Sequence, residues 1–194
     1  MKKIIVMILA VVMVLGVAGC RTSIPGDSND SGGVAANETA DTASVEAQEN
    51  SSTGFILPYE FTAVDIYGNT VTNETLGEKQ MFFVHLWATW CPPCIREMPD
   101  LAILAHEYKD SVGFIGLLDD FDNAEGAINI KGSAGIPDWF VALDANDPSL
   151  ASLLEMVKSG FVPTTVLITE DGVSEQIIGA LGTGYAEHLE KLLR

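Results

Sequence analysis

The chain has 194 residues, a formal net charge of −17, and 47% hydrophobic against 19% charged residues. So large an acidic excess excludes nucleic acid as a partner, because phosphates are held by Lys and Arg. It also disfavours any attachment to anionic lipid through protein charge.

Residues 1–19 read as a secretory signal. Lys2 and Lys3 form a basic start, residues 4–15 are almost purely aliphatic, and Val17-Ala18-Gly19 sets small residues before Cys20. The alternative is an uncleaved membrane helix, for which the apolar stretch is barely long enough. Val17-Ala18-Gly19-Cys20 resembles a bacterial lipoprotein box. That resemblance implies lipidation at Cys20 and a protein anchored to the outer side of the cell membrane. Residues 20–54 contain no aromatic and almost no large aliphatic residue. Such a segment cannot bury enough apolar surface to offset ordering, and it reads as a flexible tether. Residues 55–194 form one domain, long enough for a single core.

In chain order, residues 61–66 and 70–71 flank Tyr67-Gly68-Asn69 as a β-hairpin. Residues 81–87 are a continuous apolar run, the pattern of a buried central strand. Residues 92–108 follow as a helix, with Ile95, Met98, Leu101, Ala102, Ala105 and Tyr108 at helical spacing and a kink expected at Pro99. Residues 112–118 are the next strand, 122–133 a helix on a crossover connection, and 139–143 a short strand. Residues 148–158 form a helix with Leu150, Leu153, Leu154 and Val157 on one face. Residues 164–169 and 173–178 are strands joined at Glu170-Asp171-Gly172, a hairpin signature. Residues 185–193 close the chain as a helix. This order predicts an α/β fold, a central mixed sheet with helices on both faces.

The chemistry concentrates in Trp90-Cys91-Pro92-Pro93-Cys94, at the junction of a strand and a helix. A disulfide across so short a loop constrains little of the unfolded chain, so C-x-x-C reads as a redox centre before it reads as a staple. Of three cysteines, one pair remains if Cys20 carries lipid, and no spare thiol is left to mispair. Cys91 falls at a helix N-terminus, where free N–H groups and the helix dipole favour a thiolate. It is the expected nucleophile, nearer the surface, and Cys94 the resolving thiol one turn in. Pro92 and Pro93 suit the first helical turn. Structural zinc is excluded, because four ligands at suitable spacing are absent, and no metal site is expected. Pro163, in Gly160-Phe161-Val162-Pro163-Thr164-Thr165, reads on residues alone as a strand-leading proline.

These segments together resemble extracytoplasmic thioredoxin-like proteins of the TlpA/ResA type. The resemblance rests on His85-Leu86-Trp87-Ala88-Thr89-Trp90-Cys91-Pro92-Pro93-Cys94, then Arg96-Glu97-Met98-Pro99. Asp65-Ile66-Tyr67-Gly68-Asn69 upstream, and Val162-Pro163-Thr164-Thr165 with Asp171-Gly172 downstream, match in the same order. It implies a thioredoxin fold and a cis Pro163 facing the disulfide. The neighbouring backbone, at Val162 and Thr164, would pair with a substrate chain, and Trp90 and Pro92 would offer it an apolar surface. The resemblance also implies that Glu97, about one turn beyond Cys94, is a partly buried carboxyl with a raised pKa that moves protons; the alternative is a solvated helix residue. Cytoplasmic thioredoxins carry a buried aspartate six positions before the first cysteine. Here His85 stands there, as a packed core histidine or a substitute proton relay. His106 and His188 fall on helix patterns as surface residues, Trp87 belongs in the core, and Ala88 and Thr89 shape the approach.

The expected function is thiol–disulfide exchange, chiefly reduction of disulfides in extracytoplasmic proteins, with no cofactor beyond the Cys91/Cys94 pair. The resemblance implies re-reduction by a membrane thiol electron donor of the CcdA/DsbD kind. It also implies substrates such as apocytochrome c, sporulation proteins or methionine sulfoxide reductases. Two alternatives use the same fold: a disulfide-forming oxidase, and a non-enzymatic lipoprotein that carries copper or acts as a passive binding module, although C-x-x-C is one residue shorter than the C-x-x-x-C of copper carriers. A peroxidase is disfavoured, because the Pro-x-x-x-Thr-x-x-Cys pattern is absent and position 88 is Ala.

Overall fold

The computed structural model describes residues 54–194; the secretory signal, Cys20 and the tether as far as residue 53 lie outside them. A short hairpin comes first, β1 (Thr62–Val64) and β2 (Thr70–Thr72), paired antiparallel. It is shorter than the sequence pattern predicts. The Asp65 carboxylate draws the next residues into a turn by accepting from the Tyr67 and Asn69 N–H groups, at 2.9 and 2.8 Å. One turn of helix, α1 (Asn73–Leu76), follows, which hydrophobic periodicity could not reveal in so short a piece. Its capping box is reciprocal between Thr72 and Thr75.

The main sheet has the order β5-β4-β3-β6-β7. β3 (Met81–Trp87) and β4 (Val112–Leu118) are buried at every position, as central strands covered on both faces must be. β3 runs parallel to β4 and antiparallel to β6 (Thr164–Thr169). β5 (Val141–Asp144) extends the sheet parallel to β4, and β7 (Gly172–Ile178) pairs antiparallel with β6. The sheet is therefore mixed, as expected.

Alternation along β3 sorts the core into two layers. Met81, Phe83 and Trp87 pack toward α2 (Pro92–Tyr108), α3 (Ala124–Ala134) and α5 (Tyr185–Leu192). Phe82, Val84 and Leu86 pack toward the hairpin and α4 (Ala151–Val157). His85 shares the parity of Phe83 and Trp87, so the strand itself directs the imidazole to the α2 face. Gly116 on β4 leaves room there: a Cβ would lie 3.1 Å from the indole nitrogen of Trp87.

Several boundaries move. α2 runs unbroken through Pro99, and Ile95 falls off its buried face while Cys94, Glu97 and Leu104 fall on it. α3 is preceded by a 3₁₀ turn at Phe121–Asn123, and α4 by one at Pro148–Leu150. β5 begins at Val141, because the Phe140 N–H closes a turn on the Pro137 carbonyl at 3.1 Å and leaves Trp139 outside the strand. Among the described residues no helix is long and apolar enough to cross a membrane.

Candidate active site

The end of β3 delivers the chain directly to the cysteines. Thr89 is clamped by Asp120, which follows β4: one carboxylate oxygen accepts the Thr89 N–H at 2.9 Å and the other accepts its hydroxyl. Asn123 donates to the same hydroxyl at 2.7 Å. Asp120 is thus a positioning residue that sequence reasoning missed. Its only trace is an acidic pair at the carboxyl end of a central strand.

Cys91 is the N-cap of α2 and is disulfide-bonded to Cys94. Its sulfur accepts the Cys94 N–H at 3.3 Å, and Pro92 and Pro93 fill the first helical turn. Free N–H groups there favour negative charge on a reduced Cys91. Both cysteines are buried in the oxidised form, Cys91 at 3% exposure and Cys94 at 0%, so the expected difference in accessibility is small. Trp90 beside them is 61% exposed, and Pro92 is exposed.

The Val162–Pro163 peptide bond is cis. Its loop is braced on both sides: the Pro163 carbonyl accepts from the Gly179 N–H at 2.8 Å, and Thr164 donates to the Phe161 carbonyl at 2.8 Å. The Thr164 side chain is fully buried and shared with Ser159, so it supports the loop and presents nothing to a partner. Val162 is half-buried, packs against both core layers, and its backbone takes no partner among the described residues. Phe161 projects at 67% exposure.

Beneath the disulfide lies a polar network. Glu97 is 3% exposed. Its Oε2 accepts from the N–H groups of Leu181 and Gly182, at 3.2 and 3.4 Å. Burial pushes the Glu97 carboxyl up to about 7, against the opposing pull of those N–H groups and of Tyr185. His85 is fully buried, and burial pushes its imidazole down to about 3. His85 Nδ1 is 2.8 Å from the Thr165 hydroxyl, which donates to Tyr185 at 3.0 Å. His85 Nε2 lies 3.6 Å from Glu97 Oε1; with a neutral imidazole this is no ion pair. Thr165, Tyr185 and the Leu181–Gly182 backbone escaped sequence reasoning, because nothing local links them to Glu97, more than 80 residues away for the two N–H donors.

The other predicted residues fall outside this group. Trp87 is core, His106 is exposed, and His188 pairs with Glu175 at 2.9 Å on the surface. A cleft of about 550 Å³ opens near the start of β4 around Val112 and Gly113, at the opposite end of the strands, and includes none of the site residues.

A mixed five-stranded sheet with C-x-x-C opening the helix after its central strand, and a cis-proline leading the next strand of the sheet, is the thioredoxin fold. Solved structures share it. StoA from Bacillus subtilis aligns over 72% of this chain and 100% of its own, at 22% identity and a TM-score of 0.52. A DsbF homologue from Corynebacterium diphtheriae aligns over 70% and 83%, at 19% identity and a TM-score of 0.58. The Redoxin family profile matches residues 44–186, and the chain belongs to that family. Within it the chain is of the TlpA/ResA type: it is 34% identical over 122 residues to the thiol-disulfide oxidoreductase ResA of Bacillus anthracis, an alignment covering 61% of this chain and 66% of that protein. The thioredoxin-like protein YneN of Bacillus subtilis is 29% identical over 123 residues, covering 62% and 66%. The chain therefore spans just under two thirds of these relatives' length.

Proposed function

We propose that this protein is a thiol–disulfide oxidoreductase that chiefly reduces disulfides in extracytoplasmic partner proteins while tethered to the membrane through lipid on Cys20. The observation that carries this is the Cys91–Cys94 disulfide at the start of α2, with Cys91 as N-cap and a buried carboxyl one turn below. The dithiol form acts as reductant. The Cys91 thiolate attacks one sulfur of a substrate disulfide; a Cys91–substrate bond forms and the other substrate sulfur leaves as a thiolate. Cys94 then attacks Cys91, its thiol hydrogen passing to ionised Glu97. The internal disulfide closes, and the second substrate sulfur leaves with the electron pair and is protonated by solvent. The open backbone at Val162 and the exposed Trp90 and Phe161 offer an extended partner a place to pair and pack.

The oxidised protein then needs two electrons. A membrane thiol donor of the CcdA/DsbD kind fits that requirement, and the ResA likeness supports it. The reverse direction, disulfide donation, uses the same atoms, and the potential decides. For the full chain equilibrated in dithiol buffers, a reductant requires a value near or below about −250 mV, and a value near about −120 mV would make it an oxidant instead. Cys91→Ser should abolish reduction of insulin disulfides, whereas Cys94→Ser should accumulate a mixed disulfide with a partner, visible on non-reducing gels. Full activity of Cys91→Ser would refute the assignment.

A further inference from the structure

Two buried polar atoms beneath the disulfide, Nε2 of His85 and Oε1 of Glu97, have no hydrogen-bond partner among the described residues, and they face each other at 3.6 Å. Hydrogen-bond directions around them are fixed from the far end of the network. The Gly179 carbonyl can only accept, and so can an ionised Glu97; Tyr185 therefore gives its one hydroxyl hydrogen away, to Gly179 at 3.5 Å or to Glu97. The Tyr185 oxygen in turn accepts from Thr165. Thr165, having donated its hydrogen, accepts from His85 Nδ1. A neutral imidazole has a single N–H. It sits on Nδ1, and Nε2 presents a bare lone pair to Glu97.

The carboxyl group is equally asymmetric. Oε2 takes both backbone N–H groups, which leaves Oε1 as the oxygen that carries the acid hydrogen. The 3.6 Å gap is a few tenths of an ångström beyond a hydrogen bond. Two facing lone pairs belong at that range, and one proton between them satisfies both atoms.

We propose that His85 is a positioning residue whose Nε2 accepts the hydrogen of protonated Glu97, so that the proton taken from Cys94 during exchange is held between carboxyl and imidazole. This rests on Glu97 being the acceptor of that proton. The transfer balances: ionised Glu97 becomes neutral at Oε1 as the Cys94 thiol becomes a thiolate, and His85 stays neutral throughout. Facing lone pairs disfavour the carboxylate and favour the acid, which adds to burial in raising Glu97. The other groups facing the pair are Asp100 on α2, which disfavours the carboxylate, Tyr185 on α5 and Thr165 on β6. Lys131 on α3 borders a cavity of about 10 Å³ shared with His85, but its ammonium donates to the Phe140 carbonyl. The neighbouring position on β4 is Gly116, without a titratable group.

The test is a pH titration of the oxidised full-length chain with 15N-labelled histidine and 13C-labelled glutamate carboxyls. His85 should be the Nδ1–H tautomer, and its Nε2 resonance should shift with the midpoint of the Glu97 carboxyl. His85→Phe keeps a ring but removes the lone pair. It should lower that midpoint by about one pH unit, the tenfold change that one ordinary hydrogen bond carries. An Nε2–H tautomer, or an Nε2 resonance indifferent to the Glu97 titration, overturns the pairing, and neither outcome depends on a variant folding. Failure of the underlying reading is separately visible. If Glu97→Gln leaves the pH profile of thiol exchange unchanged, transfer from Cys94 to the pair is overturned even where the resonances are coupled.

Discussion

Glu97 links the chemistry of the site to the stability of the fold. In an unfolded chain its carboxyl ionises near 4.5, and in the folded protein near about 7. The folded state therefore binds the extra proton between those values. Stability is complete below pH 4.5 and is lost as pH rises toward 7, by about 3 kcal/mol in all. Glu97→Gln cannot ionise, while its amide still supplies an oxygen for the Leu181 and Gly182 N–H groups. Urea denaturation of the two oxidised proteins should agree near pH 4, and the Gln variant should be the more stable at pH 8. Parallel pH dependences would mean that Glu97 is not held neutral by the fold.

At the scale of elements, the carboxyl depends on a turn far from it in sequence. Gly182 has a φ of +54°, and a Cβ built there would lie 2.5 Å from Asp100 Oδ2. Gly182→Ala should therefore strain the backbone by about 1–2 kcal/mol and push its N–H off Glu97. Hydrogen bonds to the ionised form lower a carboxyl pKa, so their loss should raise the Glu97 midpoint further, by about half a unit to one unit. A carboxyl 13C titration of the variant reads this directly, and an unmoved midpoint would count against the turn as a support. The contrast with the cysteines shows what was legible in the chain. C-x-x-C, the buried strands 81–87 and 112–118 and the final hairpin are local patterns, and each is found in place. The family resemblance named Glu97, but not its donors, because Leu181 and Gly182 meet it only in the folded chain. α1 stayed hidden because four residues hold too little periodicity. Trp139 misled because an aromatic beside an apolar run reads as strand until Phe140 is seen closing a turn onto Pro137.

Over the whole molecule, charge and reactivity are separable. The chain carries a formal charge of −17, whereas the walls of the site are largely apolar and its acid is neutral half the time near pH 7. Encounter should therefore favour basic partners through long-range attraction, screened over about 10 Å at 0.1 M salt. The rate of reducing a basic disulfide peptide should fall by about tenfold or more between roughly 0.02 and 0.5 M salt, while an acidic peptide of the same length should react faster as salt is added. Stopped-flow rates with the two peptides check this; equal salt slopes would mean that the charge plays no part in partner choice.

The stretch from Gly179 to Tyr185 clasps Pro163, supplies two donors to Glu97 and anchors the hydroxyl chain that orients His85. It is also made after both cysteines, since chains emerge N-terminus first. An unfinished chain that stops short of Gly179 already holds Cys91 and Cys94 and can pair them, yet it lacks the N–H donors to Glu97 and to the Pro163 carbonyl. Thiol reactivity should therefore precede its proton control during biosynthesis, because the control waits for residues 179–185.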